Sequence, residues 1–239
     1  MTKKALNQNA KYAQEFINSI EPDFVFNNKP INRFKIVESN KDNLNRDKIE
    51  KLSILRSKIN SIENCNLKRN SKNVILGDGD INSPIMFIGE APGELEDNSG
   101  KSFQDDDGNL LKKMLSAISI KIEKVYLTYS INYRPPEDRK PTAQEIKRYS
   151  IYLKEHISII NPKIIILMGS TAMEAVTGLS GKISDERGKW KKIILKNKTF
   201  PLIITFNPSF LIRFSENKKY SWEDLKKIRQ KIQDLNIKI

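Results

Sequence analysis

The spacing of apolar residues changes at about residue 85. Before that point, apolar side chains recur at helical intervals in two stretches, residues 1–20 and residues 49–62. Between them, the polar stretch of residues 27–43 is typical of a linker. We therefore expect residues 1–45 to form an N-terminal helical extension with a linker, and residues 46–239 to form the main domain.

From Ile85 onward, short apolar runs alternate with amphipathic stretches, which is the pattern of βαβ units around a mostly parallel sheet. The expected strands cover residues 85–88, 124–130, 163–168 and 202–206. The expected helices cover residues 108–119, 142–160 and 170–177, and a final helix opens at Ser221 as its N-cap. These elements predict a three-layer α/β/α fold with the sheet in the middle.

Composition limits the class of protein. With 239 residues, 38% hydrophobic and 30% charged, the chain suits one main folded core. The longest clean apolar run, residues 164–168, is far shorter than the roughly 20 residues that span a bilayer. The basic start, residues 1–4, lacks the apolar stretch of a secretory signal. We expect a cytoplasmic protein that acts as a monomer and has no membrane partner.

The net charge of +13 lies at the two ends of the chain. Residues 1–70 carry 14 basic and 8 acidic side chains, and residues 182–239 carry 15 and 6, whereas residues 71–181 have a net charge of −2. Clustered lysine and arginine favour a polyanion such as DNA. A lysine-rich composition can also reflect an AT-rich genome, and Lys218, Lys219, Lys226 and Lys227 can equally form a solvated helix surface.

Metal chemistry has few candidate ligands. Cys65 is the only cysteine and His156 the only histidine, so neither a disulfide within the chain nor a metal site built from thiolates or imidazoles alone is possible. The acidic run Asp105-Asp106-Asp107 is more typical of a solvated loop than of a carboxylate metal site. We expect no metal and no cofactor.

An acidic turn follows the first expected strand. It reads Gly89-Glu90-Ala91-Pro92-Gly93 and presents a carboxylate at the carboxyl edge of the sheet, where open α/β sheets bind ligands. Taken alone, the turn could also be an ordinary loop with solvated acids.

Several further segments follow this turn in a characteristic order. They are Gly100–Phe103, Gly108–Leu115, Val125–Thr128, Tyr133–Thr142, Pro162–Gly169, Arg187–Trp190 and Asn207–Arg213. The ordered set resembles the family 4 uracil-DNA glycosylases over about residues 60 to 230. This resemblance implies a uracil-DNA glycosylase-like fold, DNA as partner, and hydrolysis of the bond between deoxyribose and uracil in a nucleotide flipped out of the duplex.

The resemblance also implies roles for individual residues. Glu90, in the turn of Gly89, Ala91, Pro92 and Gly93, would orient the attacking water and offset charge on the sugar. Phe103 would stack on the flipped base, although core packing is an alternative role for this ring. Ser209 and Arg213 belong to the loop that engages DNA, where Arg213 would suit a phosphate.

Two pocket positions depart from the family pattern. Tyr129 stands where the family usually has the asparagine that reads uracil, and a phenol cannot donate and accept in a fork as an amide does. Asn207 stands where the family usually has histidine, in an Asn-Pro-Ser loop that resembles the mismatch-type enzymes. The Asn207 amide would still donate to the departing base. Asp105-Asp106-Asp107 occupies a segment that is usually small and uncharged, and it would repel phosphate.

A third departure concerns the iron–sulfur cluster. Family 4 enzymes usually hold it with four cysteines, and the matching positions here are Ile62, Cys65, Tyr133 and Tyr149. We predict that the two tyrosines lie near Cys65 and fill the space with packed rings.

The sequence is therefore compatible with three functions. The first is excision of uracil or a related deaminated base, with Glu90 and Asn207 as catalytic residues. The second is DNA or partner binding on a degenerate glycosylase fold. The third, an unrelated nucleotide-binding α/β protein, lacks a phosphate-cradling glycine-rich loop of the usual kind.

Overall fold

The computed structural model describes the backbone of residues 33–238, with side chains from Asn43 onward, and also Tyr12 and Glu15, which are helical. Apart from those two residues, the helix expected over residues 1–20 lies outside the described residues, and so does the first part of the expected linker. The chain divides into two compact units, Met1–Asp42 and Asn43–Ile239, and the second holds the sheet and every candidate site residue. The expected domain boundary after residue 45 stays a prediction.

Helix α1 corrects the linker prediction. It runs over Arg33–Asn60 as one helix of 28 residues, so that residues 33–43 are helical where a linker was expected. The stretch is polar but contains neither proline nor glycine, so nothing in it interrupts the backbone hydrogen bonds. A short helix α2, Asn66–Asn70, follows.

The central sheet has six strands in the order β1-β3-β2-β4-β6-β5. The bounds are β1 Asp78–Gly79, β2 Ile85–Gly89, β3 Tyr126–Tyr129, β4 Ile164–Met168, β5 Trp190–Leu195 and β6 Lys198–Thr205. The inner strands β3, β2, β4 and β6 are parallel, and β1 and β5 add antiparallel edges. The mostly parallel sheet expected from the sequence is confirmed, with two edge strands that the sequence reading missed.

Helices cover both faces of the sheet. In chain order they are α3 Glu94–Ser99, α4 Asp106–Ala117, α5 Ala143–Ile160, α6 Ser170–Thr177, α7 Ile183–Glu186, α8 Pro208–Arg213 and α9 Lys218–Asp234. Leu111 of α4 and Ile228 of α9 pack on one face with Phe87, whereas Leu153 of α5 packs on the other with Ile88. The three-layer α/β/α architecture is confirmed.

Two helix starts differ from expectation. Helix α9 begins at Lys218, so Ser221 is not its N-cap but a buried residue inside the helix. Helix α4 begins at Asp106, because the Asp105 carboxylate accepts a hydrogen bond from the Asp106 amide and caps the helix. Acids in a first turn also interact favourably with the helix dipole. The acidic run is therefore a helix start and not a loop.

None of the described helices is long and apolar enough to cross a membrane.

Candidate functional site

A cavity of about 540 Å³ opens at the carboxyl edge of the parallel strands. Among the residues that line it are nine of the ten candidates from the sequence: Glu90, Ala91, Pro92, Gly93, Phe103, Tyr129, Asn207, Ser209 and Arg213. The tenth, Gly89, pairs with Tyr129 across the adjacent strand ends of β2 and β3. Segments far apart in sequence thus converge because parallel strands end at one edge.

Glu90 is half-buried at the end of β2 and is held at both its backbone and its side chain. The amides of Ser130 and Ile131 donate to its carbonyl oxygen at 3.2 Å each. The Thr171 hydroxyl, in the first turn of α6, donates to its Oε2 at 2.7 Å. These bonds hold an acid at the cavity wall in a defined orientation.

Phe103 and Tyr129 form a stacked pair of rings in the cavity wall. Their ring centroids lie 4.6 Å apart with an interplanar angle of 18°. The Phe103 amide donates to the Tyr129 hydroxyl at 2.9 Å. Burial, followed by the nearby Glu96 carboxylate, raises the pKa of Tyr129 well above its usual value, so its phenol is neutral.

The loop after β6 brings an amide and a cation to the cavity. Asn207 donates from Nδ2 to the Ser209 Oγ at 2.6 Å, which orients its side chain. Arg213 ends α8 with an exposed guanidinium, whose Nε donates to the Ser209 carbonyl at 3.4 Å. Gly169 lies beside this loop at a φ of +96°, and a Cβ there would stand 3.2 Å from Cβ of Asn207.

Further acidic side chains, Glu96, Asp105 and Asp107 among them, also line the cavity. Glu96 is buried and accepts hydrogen bonds from the amides of Gly93 at 3.0 Å and Gln104 at 2.8 Å. Burial, reinforced by the carboxylates of Asp105 and Glu96, raises the pKa of Asp107 to about 6. Among the described residues, no group of three or more His, Cys, Asp and Glu side chains is arranged to hold a metal ion.

A second region holds the positions that match the family's cluster ligands, and we call it the tyrosine cluster: Ile62, Cys65, Tyr133 and Tyr149. All four belong to one buried apolar cluster. The Cys65 Sγ lies 3.2 Å from the Tyr149 hydroxyl, and the rings of Tyr133 and Tyr149 meet edge to face at 6.4 Å. The predicted packing of the two tyrosines around Cys65 is confirmed.

The tyrosine cluster does not fit an iron–sulfur cluster. A cluster of the usual kind takes four thiolates, and this region supplies one. The phenols are poor substitutes, because burial raises the pKa of Tyr149 well above its usual value and that of Tyr133 to about 12, which keeps both neutral. Rings fill the space that the ligands would border.

Thr171 and Glu96 are among the residues of the site that the sequence reading missed. Thr171 contacts Glu90 from a segment 81 positions away, and no local pattern marks it. Glu96 is the third helical residue of α3 and its carboxylate returns to the Gly93 amide, a capping arrangement that a sequence search for helix starts could have found.

Fold and site together define an α/β protein with a polar, ligand-sized cavity at the carboxyl edge of a parallel sheet. The model of the uracil DNA glycosylase superfamily matches residues 76–229. The type-4 uracil-DNA glycosylase of Thermotoga maritima is 34% identical over 183 residues, covering 75% of this chain and 94% of the relative. That of Sulfurisphaera tokodaii is 34% identical over 190 residues, covering 76% and 85%. The chain belongs to the uracil-DNA glycosylase superfamily.

Proposed function

We propose that this protein is a monofunctional DNA glycosylase that hydrolyses the N-glycosidic bond of uracil or a related deaminated base. The observation that carries the proposal is the convergence of Glu90, Phe103, Asn207 and Arg213 on one cavity. An acid, an aromatic ring, an amide donor and a cation are the groups that excision of a flipped base requires.

Glu90 acts on the sugar in this proposal. Its carboxylate, held by Thr171, orients the water that attacks the anomeric carbon and offsets positive charge as the glycosidic bond lengthens. Because that charge develops mainly in the transition state, Glu90 contributes to turnover more than to DNA affinity.

Asn207 acts on the leaving base. One of its two amide protons is directed to Ser209, and the other is the donor that stabilises negative charge on the departing base. Arg213 contacts a DNA phosphate, and the basic ends of the chain add affinity that falls with rising salt. We further propose that the protein acts as a monomer and without a cofactor.

A second candidate is a degenerate glycosylase fold that binds DNA or another partner without excision. The stacked Phe103–Tyr129 pair favours it, because the ring that would receive the base is already covered on one face. Asp105 and Asp107 also favour it, because they line the same cavity as Arg213 and their negative charge would repel a phosphate.

A strand-cleavage assay separates the two candidates. Single- and double-stranded oligonucleotides containing uracil, hypoxanthine or xanthine are incubated with the protein and then treated with alkali. A glycosylase gives alkali-sensitive sites with at least one of these bases. The proposal is overturned if the protein binds the same oligonucleotides but cleaves none of them.

Two variants assign the activity to the cavity. Glu90→Gln should lower the rate by about a hundredfold or more and leave DNA affinity nearly unchanged. Glu94→Gln is the matched control and should retain activity, because Glu94, at the start of α3, borders the same cavity but is exposed and pairs with Arg134. Phe103→Ala should weaken both binding and turnover. Equal rates for Glu90→Gln and wild type would place the catalytic acid elsewhere.

A further inference from the structure

We propose that Tyr129 occupies the place of the flipped base, so that the stacking face of Phe103 in the resting cavity is closed off by one of the protein's own side chains. The inference rests on the proposed function of this cavity as a base pocket. The Tyr129 side chain would compete with a base for the stacking position on Phe103, and the base would have to displace it in order to bind.

The first support is that Tyr129 takes both contacts that Phe103 offers to a planar ligand. Its ring lies nearly parallel to the Phe103 ring at 4.6 Å, which is the stacking geometry of an aromatic ligand. Its hydroxyl accepts the Phe103 amide at 2.9 Å, as a pyrimidine carbonyl oxygen would. A base cannot stack on this face of the Phe103 ring or accept from the Phe103 amide while Tyr129 does so.

The second support is that neighbouring residues accommodate the ring pair. A Cβ on Gly89 would stand 2.9 Å from Cζ of Phe103 and 3.1 Å from Cδ1 of Tyr129, so a larger residue would collide with both rings. Phe103 itself has a φ of +53°, a left-handed conformation that costs free energy for a bulky residue and is retained where the surroundings impose it. Both features belong to the closed arrangement.

The third support is the exposure of the two rings. Phe103 is 8% exposed and Tyr129 4%, although both border the cavity. A base-stacking ring that faced an open slot would present one full face to solvent. Here Tyr129 covers that face, and its own polar group is satisfied by the Phe103 amide.

Closure predicts a weaker apparent affinity for any base. When only a fraction of the protein is open, the apparent dissociation constant rises by the inverse of that fraction. Removal of the Tyr129 ring removes this competition and leaves the Phe103 face and amide available.

Binding of free uracil to the full chain tests this without any excision step. Isothermal titration calorimetry with free uracil compares wild type with Tyr129→Ala and Tyr129→Asn. Both small replacements should bind uracil at least tenfold more tightly than wild type. Tyr129→Phe should bind no better than wild type, because its ring still covers Phe103. Leu127→Ala, a core truncation on the same strand and the same sheet face, is the control for general loosening and should also match wild type.

Two results overturn the proposal. One is that wild type binds uracil as tightly as Tyr129→Ala does, and the other is that folded Tyr129→Ala and Tyr129→Asn show no gain in affinity for uracil. If neither small variant folds, hydrogen exchange of the Phe103 amide decides, because in the closed arrangement this amide donates to the Tyr129 hydroxyl, which Tyr129→Phe lacks. Exchange should be at least tenfold faster in Tyr129→Phe than in wild type, and equal rates contradict closure. The strand-cleavage assay is independent, so failure of excision and failure of closure are distinguishable.

Discussion

The cavity and the tyrosine cluster carry the same kind of replacement, with opposite consequences. In the tyrosine cluster, Tyr149 is fully buried and its hydroxyl lies 3.2 Å from the Cys65 Sγ, so the ring is part of the apolar core. In the cavity, Tyr129 is also buried and hydrogen-bonded, but it covers Phe103, the ring that the proposed substrate needs.

The consequences differ because the proposed substrate needs the space in the cavity, whereas no substrate is proposed for the tyrosine cluster. A phenol in place of a metal ligand turns a cofactor site into hydrophobic core, which stabilises the fold without a metal. In the proposed base pocket, a phenol where the family usually has an amide covers the ring of Phe103, so that packing would replace recognition of the base. Each region can be altered separately, and the expected effects differ in size and in kind.

The largest effect is expected from Tyr129→Asn combined with Asn207→His. The amide restores forked reading of uracil and the imidazole is a stronger donor to the uracil anion, so transition-state stabilisation should rise by about 3 to 6 kcal/mol. The measurement is the single-turnover rate on a uracil oligonucleotide. If the native site is tuned to another base, the same variant should lose that activity while it gains uracil cleavage.

A folded double variant that binds DNA but excises no base would contradict both expectations, the gain of uracil excision and the exchange of one base for another. Asp105, Asp106 and Asp107 would then be the next residues to test as an obstacle to excision.

In the tyrosine cluster, Tyr149→Ala should lower the free energy of unfolding by about 3 to 5 kcal/mol, because it leaves a cavity between Cys65 and Tyr133. Urea denaturation measures this. The control is Ile151→Ala on the same helix, where the side chain is 69% exposed and the change should stay within about 0.5 kcal/mol. A loss below about 1 kcal/mol for Tyr149→Ala would mean that the ring does not support the core.

A smaller effect is expected from Asp107. Its folded pKa of about 6 lies above that of an ordinary carboxyl, so its contribution to stability is present at low pH and is lost as pH rises from about 4 through 6. Asp107→Asn should remove this slope and add about 1 kcal/mol of stability at pH 7, a figure reduced for partial exposure. DNA affinity should rise as well, because one charge that repels phosphate is gone.

The control for this pH dependence is Asp106→Asn. Asp106 lies in the same helical turn and is exposed. Its variant should retain the slope between pH 4 and 6, measured by thermal unfolding across that range. Identical profiles for the two variants would exclude Asp107 as the titrating group.

The smallest effect is expected from chelation. The purified protein should be colourless and contain no stoichiometric iron, since Cys65 is its only thiol. Its unfolding temperature should not change after treatment with a chelator. Elemental analysis that finds about four irons per chain would show that the tyrosine cluster has been misassigned.

The inner sheet could be predicted because its strands are buried on both faces and read as continuous apolar runs, as Ile164–Met168 does. Strand β5 could not, because Lys191 and Lys192 interrupt its apolar pattern at the sheet edge. The segments that line the cavity followed from the family resemblance. The ring pair did not, because stacking of Phe103 on Tyr129 depends on side-chain packing between segments 26 residues apart.

The rigidity of the Phe103 backbone bears on the time course of ligand entry. A Cβ on Gly108 would lie 1.9 Å from the Phe103 carbonyl oxygen, so the start of helix α4 abuts Phe103 and prevents its withdrawal. If the pocket is closed as proposed, opening therefore requires rotation of the Tyr129 side chain, a unimolecular event whose frequency does not depend on ligand concentration. In rapid mixing with uracil, the observed binding rate should consequently reach a plateau at the rate of that rotation and should not rise in proportion to concentration.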